Sequence, residues 1–299
     1  MRRVTTSISR RALTLGLPMA AVELARRGAL AQQPRAPSSR TRGATPVSAL
    51  VVGVSYDASP ENRLANAVND ASDFASKLLS LGHNVQLVTE PKLEDFARAM
   101  DRYLQQLTFT KHAFFYFSGH GIQIERVNYL VMADVNTLVS VQQLIDLVRP
   151  RVSGTTFILD ACRNNPLPPP GGFGVVVPRD QGLTRSVSPV HLQDLAAATS
   201  RGLAEMSIRG RGVKIVFSTD PGNVAADGDG RNSPFNAALV RRLGERKSFD
   251  EVLSEVTREV DEVTNGSQTP WQQGSTDEVV YLVGRPASFE TGANRMPIP

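Results

Sequence analysis

The chain has 299 residues, 41 % of them hydrophobic and 6 % aromatic, enough to fill the core of one large domain and unlike a fibrous or wholly disordered composition. Its net charge of +4 is concentrated at the start, where residues 1–31 hold six Lys/Arg and one acid and leave 27 basic against 28 acidic residues elsewhere. That balance excludes a basic surface for nucleic-acid phosphates.

Residues 1–31 have a basic start, an apolar stretch from Ala12 to Val22 and an A-x-A pattern at Ala29–Ala31. This is the order of an export signal, and Ser9-Arg10-Arg11-Ala12-Leu13 resembles the twin-arginine kind. The expected destination is the periplasm or the exterior. The apolar stretch is too short for a membrane span. Residues 32–46, "QQPRAPSSRTRGATP", are polar and aperiodic, which predicts a flexible tether.

From Val47 the pattern changes. "VSALVVGV" (47–54) is a continuous apolar run of the kind found in a strand buried on both faces. Leu64, Ala67, Val68, Ala71, Phe74, Ala75 and Leu78 then recur at helical spacing, with Gly82 placed as a C-terminal cap. A strand at 84–88, a helix over about 93–107 and the strand "AFFYF" (113–117) follow. Next come a helix near 140–149, the strands "TTFIL" (155–159) and "VKIVF" (213–217), and helices at 234–244 and 249–264. The strand "VVYLV" (279–283) closes the series, and 286–299 reads as a loose tail. Strands alternating with helices predict one α/β domain with a mainly parallel sheet of five or six strands covered on both sides. Residues 168–208, rich in Pro, Gly, Ser and Thr, read as a long loop.

Ligands of such sheets gather beyond the carboxyl ends of the strands. Two strand ends here carry reactive residues. "AFFYF" runs into Ser118-Gly119-His120-Gly121, and "TTFIL" into Asp160-Ala161-Cys162-Arg163. Cys162 is the chain's one cysteine, so no disulfide forms within the chain. Such a cysteine is either a small core residue or, with His120 on a neighbouring strand, half of a nucleophilic dyad. In the second case the imidazole helps to form the thiolate and later protonates the leaving amine. His83, His112 and His191 are isolated and have no zinc-ligand spacing. "DGDG" (227–230) lacks the ligand spacing of a calcium loop and reads as a turn.

"YFSGHG" (116–121) and "DACRNNP" (160–166) resemble the histidine and cysteine blocks of caspase-like peptidases, in the bacterial branch near metacaspases and paracaspases. The Asn-Asp-Ala block in 62–85, "RGLAEM" (201–206), "STDPGNVAADGDGRNSPF" (218–235) and "QTPW" (268–271) extend that resemblance over about 47–283. It implies a caspase-like (haemoglobinase-type) sandwich over 47–285, with a six-stranded sheet flanked by helices. It also implies a cysteine-type endopeptidase acting on peptides or proteins, with Cys162 as nucleophile, His120 as proton shuttle, and the N–H groups of Gly121 and Cys162 as oxyanion hole. Asp70 and Asp160 correspond to the S1 acids of metacaspase-like relatives, which fits cleavage after Arg or Lys. The caspase signature Q-A-C-[RQG]-G is not matched, since Asp160 precedes Ala161 and Asn164 follows Arg163, and this departure argues against cleavage after Asp. The long segment at 168–208 lies where relatives are cut during maturation, so Arg179, Arg185 and Arg201 are candidate self-cleavage points. No residue pattern calls for a cofactor, although some metacaspase relatives need calcium. The rival readings are an inactive caspase-like binding module and another Cys/His amidase acting on cell-wall peptide.

Overall fold

The computed structural model describes residues 43–124, 127–162, 173–179, 182–190, 203, 206, 211–220 and 225–285, with Cys162, 173–179 and 182–190 described by their main chain. The export signal expected at 1–31, most of the tether at 32–46 and the tail at 286–299 lie outside these residues.

In chain order the first elements are β1 (Val47–Gly53), α1 (Ala67–Ser80), β2 (Asn84–Thr89), α2 (Leu93–Gln106), β3 (His112–Ile124), β4 (Val127–Val131) and β5 (Thr137–Ser140). There follow α3 (Val141–Val148), β6 (Gly154–Cys162), β7 (Phe173–Arg179), β8 (Gly182–Val190), β9 (Val213–Phe217), α4 (Pro234–Arg242), α5 (Phe249–Val263) and β10 (Trp271–Ser275). A six-stranded sheet runs β2-β1-β3-β6-β9-β10, parallel except for the β9–β10 pair. The end of β3 continues into a second arm, β4-β5-β7-β8, that branches from the parallel sheet.

The apolar run at β1 is explained by burial on both faces. Leu50 and Val52 join one core with Phe96 of α2 and Leu144 of α3, while Val47, Ala49 and Val51 join the other with Phe74 of α1 and Val252 of α5. The same alternation splits β3, with Phe115 and Phe117 in the first core and Phe114 and Tyr116 in the second. Phe74 of α1 stacks on Tyr116 at 4.4 Å, which fixes α1 over the centre of the sheet. Gly53 is required for that approach, because a Cβ there would meet Ala71 Cβ at 2.6 Å and Ala67 O at 2.9 Å. Gly82 ends α1 at φ +89°, in the left-handed conformation that glycine adopts readily. Ser248 caps α5, its hydroxyl accepting from the Glu251 N–H while Glu251 accepts from the Ser248 N–H.

Four expectations are corrected. β3 does not end at Phe117 but continues through His120 to Ile124, because β4 supplies a partner from Gly121 onward. Residues 279–283 are not a strand, since Tyr281 makes only an isolated bridge with Ser248, and the edge beside β9 is taken by β10. Val280 and Leu282 of that segment are nevertheless buried, and His83 holds it through Nε2 to Leu282 O at 3.0 Å. The stretch 168–208 is not a continuous loop, for β7 and β8 form a hairpin within it. The spacing of Val252, Leu253, Val256, Val260 and Val263 predicts one apolar stripe on α5, but Val263 is exposed at the helix end. Among the described residues no helix is long and apolar enough to cross a membrane.

Candidate active site

The parallel pairing of β3 with β6 matches Ser118 to Asp160, Gly119 to Ala161 and His120 to Cys162. Adjacent strands lie about 4.8 Å apart, so the two reactive residues are cross-strand neighbours by register alone. His120 is buried, and its Nε2 lies 2.7 Å from the main-chain O of Asn62. A carbonyl only accepts, so Nε2 carries the proton and Nδ1 of the neutral ring keeps its lone pair. Nδ1 has no hydrogen-bond partner among the described residues. Burial lowers the basicity of His120, while the Asn62 carbonyl and the Asp227 carboxylate oppose that shift.

Gly121 lies in β3 opposite Leu130 of β4. A Cβ there would come within 2.9 Å of Leu203 Cδ2 and 3.1 Å of Ala161 Cβ, so Leu203 closes over the strand at that point.

Asp70 and Asp160 are brought together although 90 positions separate them. Both are almost wholly buried. Ser233, the cap residue of α4, bridges them: its N–H donates to Asp70 Oδ1 at 3.0 Å and its hydroxyl to Asp160 Oδ2 at 2.6 Å. Asn232 and Asn236 donate their side-chain amides to the same Asp70 Oδ1, at 3.0 and 3.1 Å. Ser118 reaches Asp70 Oδ2 at 3.4 Å, and the Tyr116 hydroxyl reaches Asp160 Oδ2 at 3.5 Å. The carboxylates thus lie at the N-terminus of α4, whose dipole favours negative charge. This compensation is incomplete. Burial raises the pKa of Asp70, and the charge of Asp160 raises it further, with the Asn232, Ser233 and Asn236 bonds opposing. Burial raises Asp160 as well, against hydrogen bonds from Ser233 and Ser218. A buried pair of acids held in this way is short of positive charge.

The turn expected at "DGDG" has a further use. Asp227 accepts the Ala65 N–H at 2.7 Å and the Asn66 N–H at 3.3 Å, pinning the chain ahead of α1. Arg179 ends β7 opposite Gly182, Arg185 lies within the β8 ladder opposite Val176, and Arg201 lies outside the described residues. Among the described residues no group of three His, Cys, Asp or Glu side chains is arranged to hold a metal ion.

Sequence reasoning missed Asn62, Tyr116, Asn232, Ser233 and Asn236. Ser118 had a detectable signal, since it stands two residues before His120 on the same strand, and Ser233-Pro234 is a helix-start pair. Their meeting across more than a hundred residues had none.

A family model described as the caspase domain matches residues 47–281. Caspase-1 from Spodoptera frugiperda superposes with a TM-score of 0.55 at 16 % identity, covering 85 % of this chain and 99 % of that one. A protein from Geobacter sulfurreducens, GSU0716, superposes with a TM-score of 0.54 at 15 % identity, covering 81 % and 98 %. At such identities the likeness is one of fold. Comparison with curated proteins finds no match.

Proposed function

The chain belongs to the caspase domain family, and on that premise we propose that it is a cysteine-type endopeptidase cleaving after Arg or Lys. The observation that carries this reading is the pairing of His120 with Cys162, with Nε2 occupied by Asn62 and Nδ1 left as the base. In the reaction, Nδ1 takes the Cys162 proton and the thiolate attacks the scissile carbonyl carbon. The N–H groups of Gly121 and Cys162 receive the oxyanion. The tetrahedral adduct collapses as the imidazolium gives its proton to the leaving amine, leaving a thioester. Water, deprotonated by His120, then releases the acid and restores the thiol.

Asp70 and Asp160 select the substrate in this proposal. A guanidinium or ammonium between them supplies the charge that the buried pair lacks, and it makes charge-assisted hydrogen bonds with both. Residues 1–31 are proposed to direct the chain out of the cytoplasm, and fusing them to a reporter checks whether it is exported.

The test is hydrolysis of fluorogenic Arg-, Lys- and Asp-amides by the wild type, Cys162→Ser and His120→Ala, with and without calcium. We expect Arg and Lys turnover in the wild type alone. Equal, negligible turnover in all three proteins at every calcium concentration would instead favour a binding module. Release from peptidoglycan fragments without cleavage of Arg-amides would favour a cell-wall amidase.

A further inference from the structure

Tyr56 belongs to none of the blocks that carry the resemblance, yet it meets His120 at both the main chain and the ring. It follows β1 at φ +59°, a left-handed conformation that is an outlier for a bulky aromatic residue. The Glu90 carboxylate holds it there by accepting the main-chain N–H groups of Ser55 and Tyr56. The Glu90 N–H in turn is fixed to Gly53 O at 2.9 Å. In this conformation the fully buried phenol reaches across the end of β3. Its oxygen accepts the His120 main-chain N–H at 2.8 Å and donates its proton to Val131 O of β4 at 2.9 Å. Its ring lies 4.5 Å from the imidazole, tilted by 32°. Gly119 makes room for this arrangement, because a Cβ there would sit 3.1 Å from the Tyr56 oxygen and 2.8 Å from Phe117 Cζ.

We infer that Tyr56 is a positioning residue for the catalytic histidine, with its hydroxyl fixing the main chain of His120 and its ring supporting the imidazolium that forms when Cys162 gives up its proton. The inference rests on the peptidase reading. An aromatic face within about 6 Å of a cation attracts it, and burial strengthens the effect. The charged group acting on His120 among the described residues is Asp227, which also favours the imidazolium. The His120 N–H is committed to Tyr56, and the Gly121 N–H proposed for the oxyanion is the next donor along the strand.

Two variants of the full chain separate the two actions. Tyr56→Phe keeps the ring and loses the hydroxyl, whereas Tyr56→Leu loses both. Because Cys162 is the chain's single cysteine, its alkylation by iodoacetamide reads the thiolate with no competing thiol. We expect Tyr56→Phe to lower kcat about tenfold, a typical loss for a misoriented base, with KM within about twofold of wild type. Tyr56→Leu should also move the His120 limb of the pH profiles of kcat/KM and alkylation down by about half a pH unit, as loss of a cation–π contact to the imidazolium requires. Wild-type kcat and wild-type profiles in folded Tyr56→Phe protein would overturn the inference. Where Tyr56→Leu does not fold, the Phe variant decides. If alkylation proves the same in wild type and His120→Ala, the peptidase reading fails, and exchange of the His120 amide in the Phe variant still judges Tyr56. Exchange at least about tenfold faster than in wild type supports the positioning role, and an unchanged rate overturns it.

Discussion

Replacing Asp70 by Asn should stabilise the protein and cripple it at once. Asp70 Oδ1 accepts from Asn232, Ser233 and Asn236, and its Oδ2 faces the Ser118 hydroxyl. Asparagine keeps the acceptor for all three N–H donors and turns its amide toward an oxygen able to accept, so no buried partner is orphaned. What changes is charge. Burial and Asp160 raise the folded-state pKa of Asp70 above the unfolded value near 3.9. Its contribution to stability is therefore fully present below about pH 4 and is lost as the pH rises through the raised value. Each tenfold weakening of the acid on folding corresponds to about 1.4 kcal/mol, and after relaxation of the site we expect Asp70→Asn to gain about 2 kcal/mol at pH 8. For a domain of this size that is a rise in Tm of roughly 4–8 °C, shrinking toward zero at pH 4. The same change removes one of the two carboxylates proposed to face a substrate cation, which should cost about 2–4 kcal/mol, or roughly 30- to 1,000-fold in kcat/KM for an Arg-amide. Thermal unfolding at pH 4 and pH 8, in a Cys162→Ala background that lacks the proposed nucleophile, reads the first effect, and steady-state hydrolysis reads the second. An unchanged or lower Tm at pH 8 together with wild-type turnover would refute both halves of the reasoning.

At the opposite end of the strands, His112 is fully buried with Nε2 3.1 Å from Thr156 Oγ1, and burial followed by the Lys214 charge lowers its pKa to about 4. Its neutral form stabilises the fold above pH 6.5, and about 3 kcal/mol of that is lost as the pH falls toward 4. Urea midpoints at pH 7 and 4.5 should therefore diverge less in His112→Gln than in the wild type. Gly53→Ala should destabilise the protein by about 1–3 kcal/mol, because α1 must move off the sheet; kcat/KM should fall with it, since α1 carries Asp70. Arg179 is the last residue of β7, while Arg185 lies within the β7–β8 ladder and must unpair before a protease can bind it. Fragment masses over time should show the first hairpin cut after Arg179, absent in Arg179→Ala and in Cys162→Ala protein.

The parts legible in the sequence were those with local causes. The two-sided apolar runs of β1 and β3 and the helical stripe of α1 follow from period and chain order. The missed parts depended on partners distant in sequence. β3 continues past His120 only because Val127–Val131 returns beside it, and no periodicity within 118–124 announces that. "VVYLV" has the composition of a strand but is held by side-chain burial and by the Phe249 N–H to Val280 O bond, while the more polar "WQQGS" takes the sheet edge. The Asp70–Asp160 pairing was expected from resemblance alone, and the Ser233 bridge that joins the two acids was not visible at all.

That bridge also defines a seam. One side of it, with Asp70, His120 and Asp160, is built before residue 163, and the other, with Asn232, Ser233 and Asn236, after residue 211. The two sides are further sewn by the β6–β9 ladder and by Asp227 on the Ala65 and Asn66 N–H groups. A break after Arg179, where β7 ends, cuts none of these stitches. Stretches before residue 163 and after residue 211 thus hold each other without the chain between them, and the two half-chains, made apart, are expected to come together.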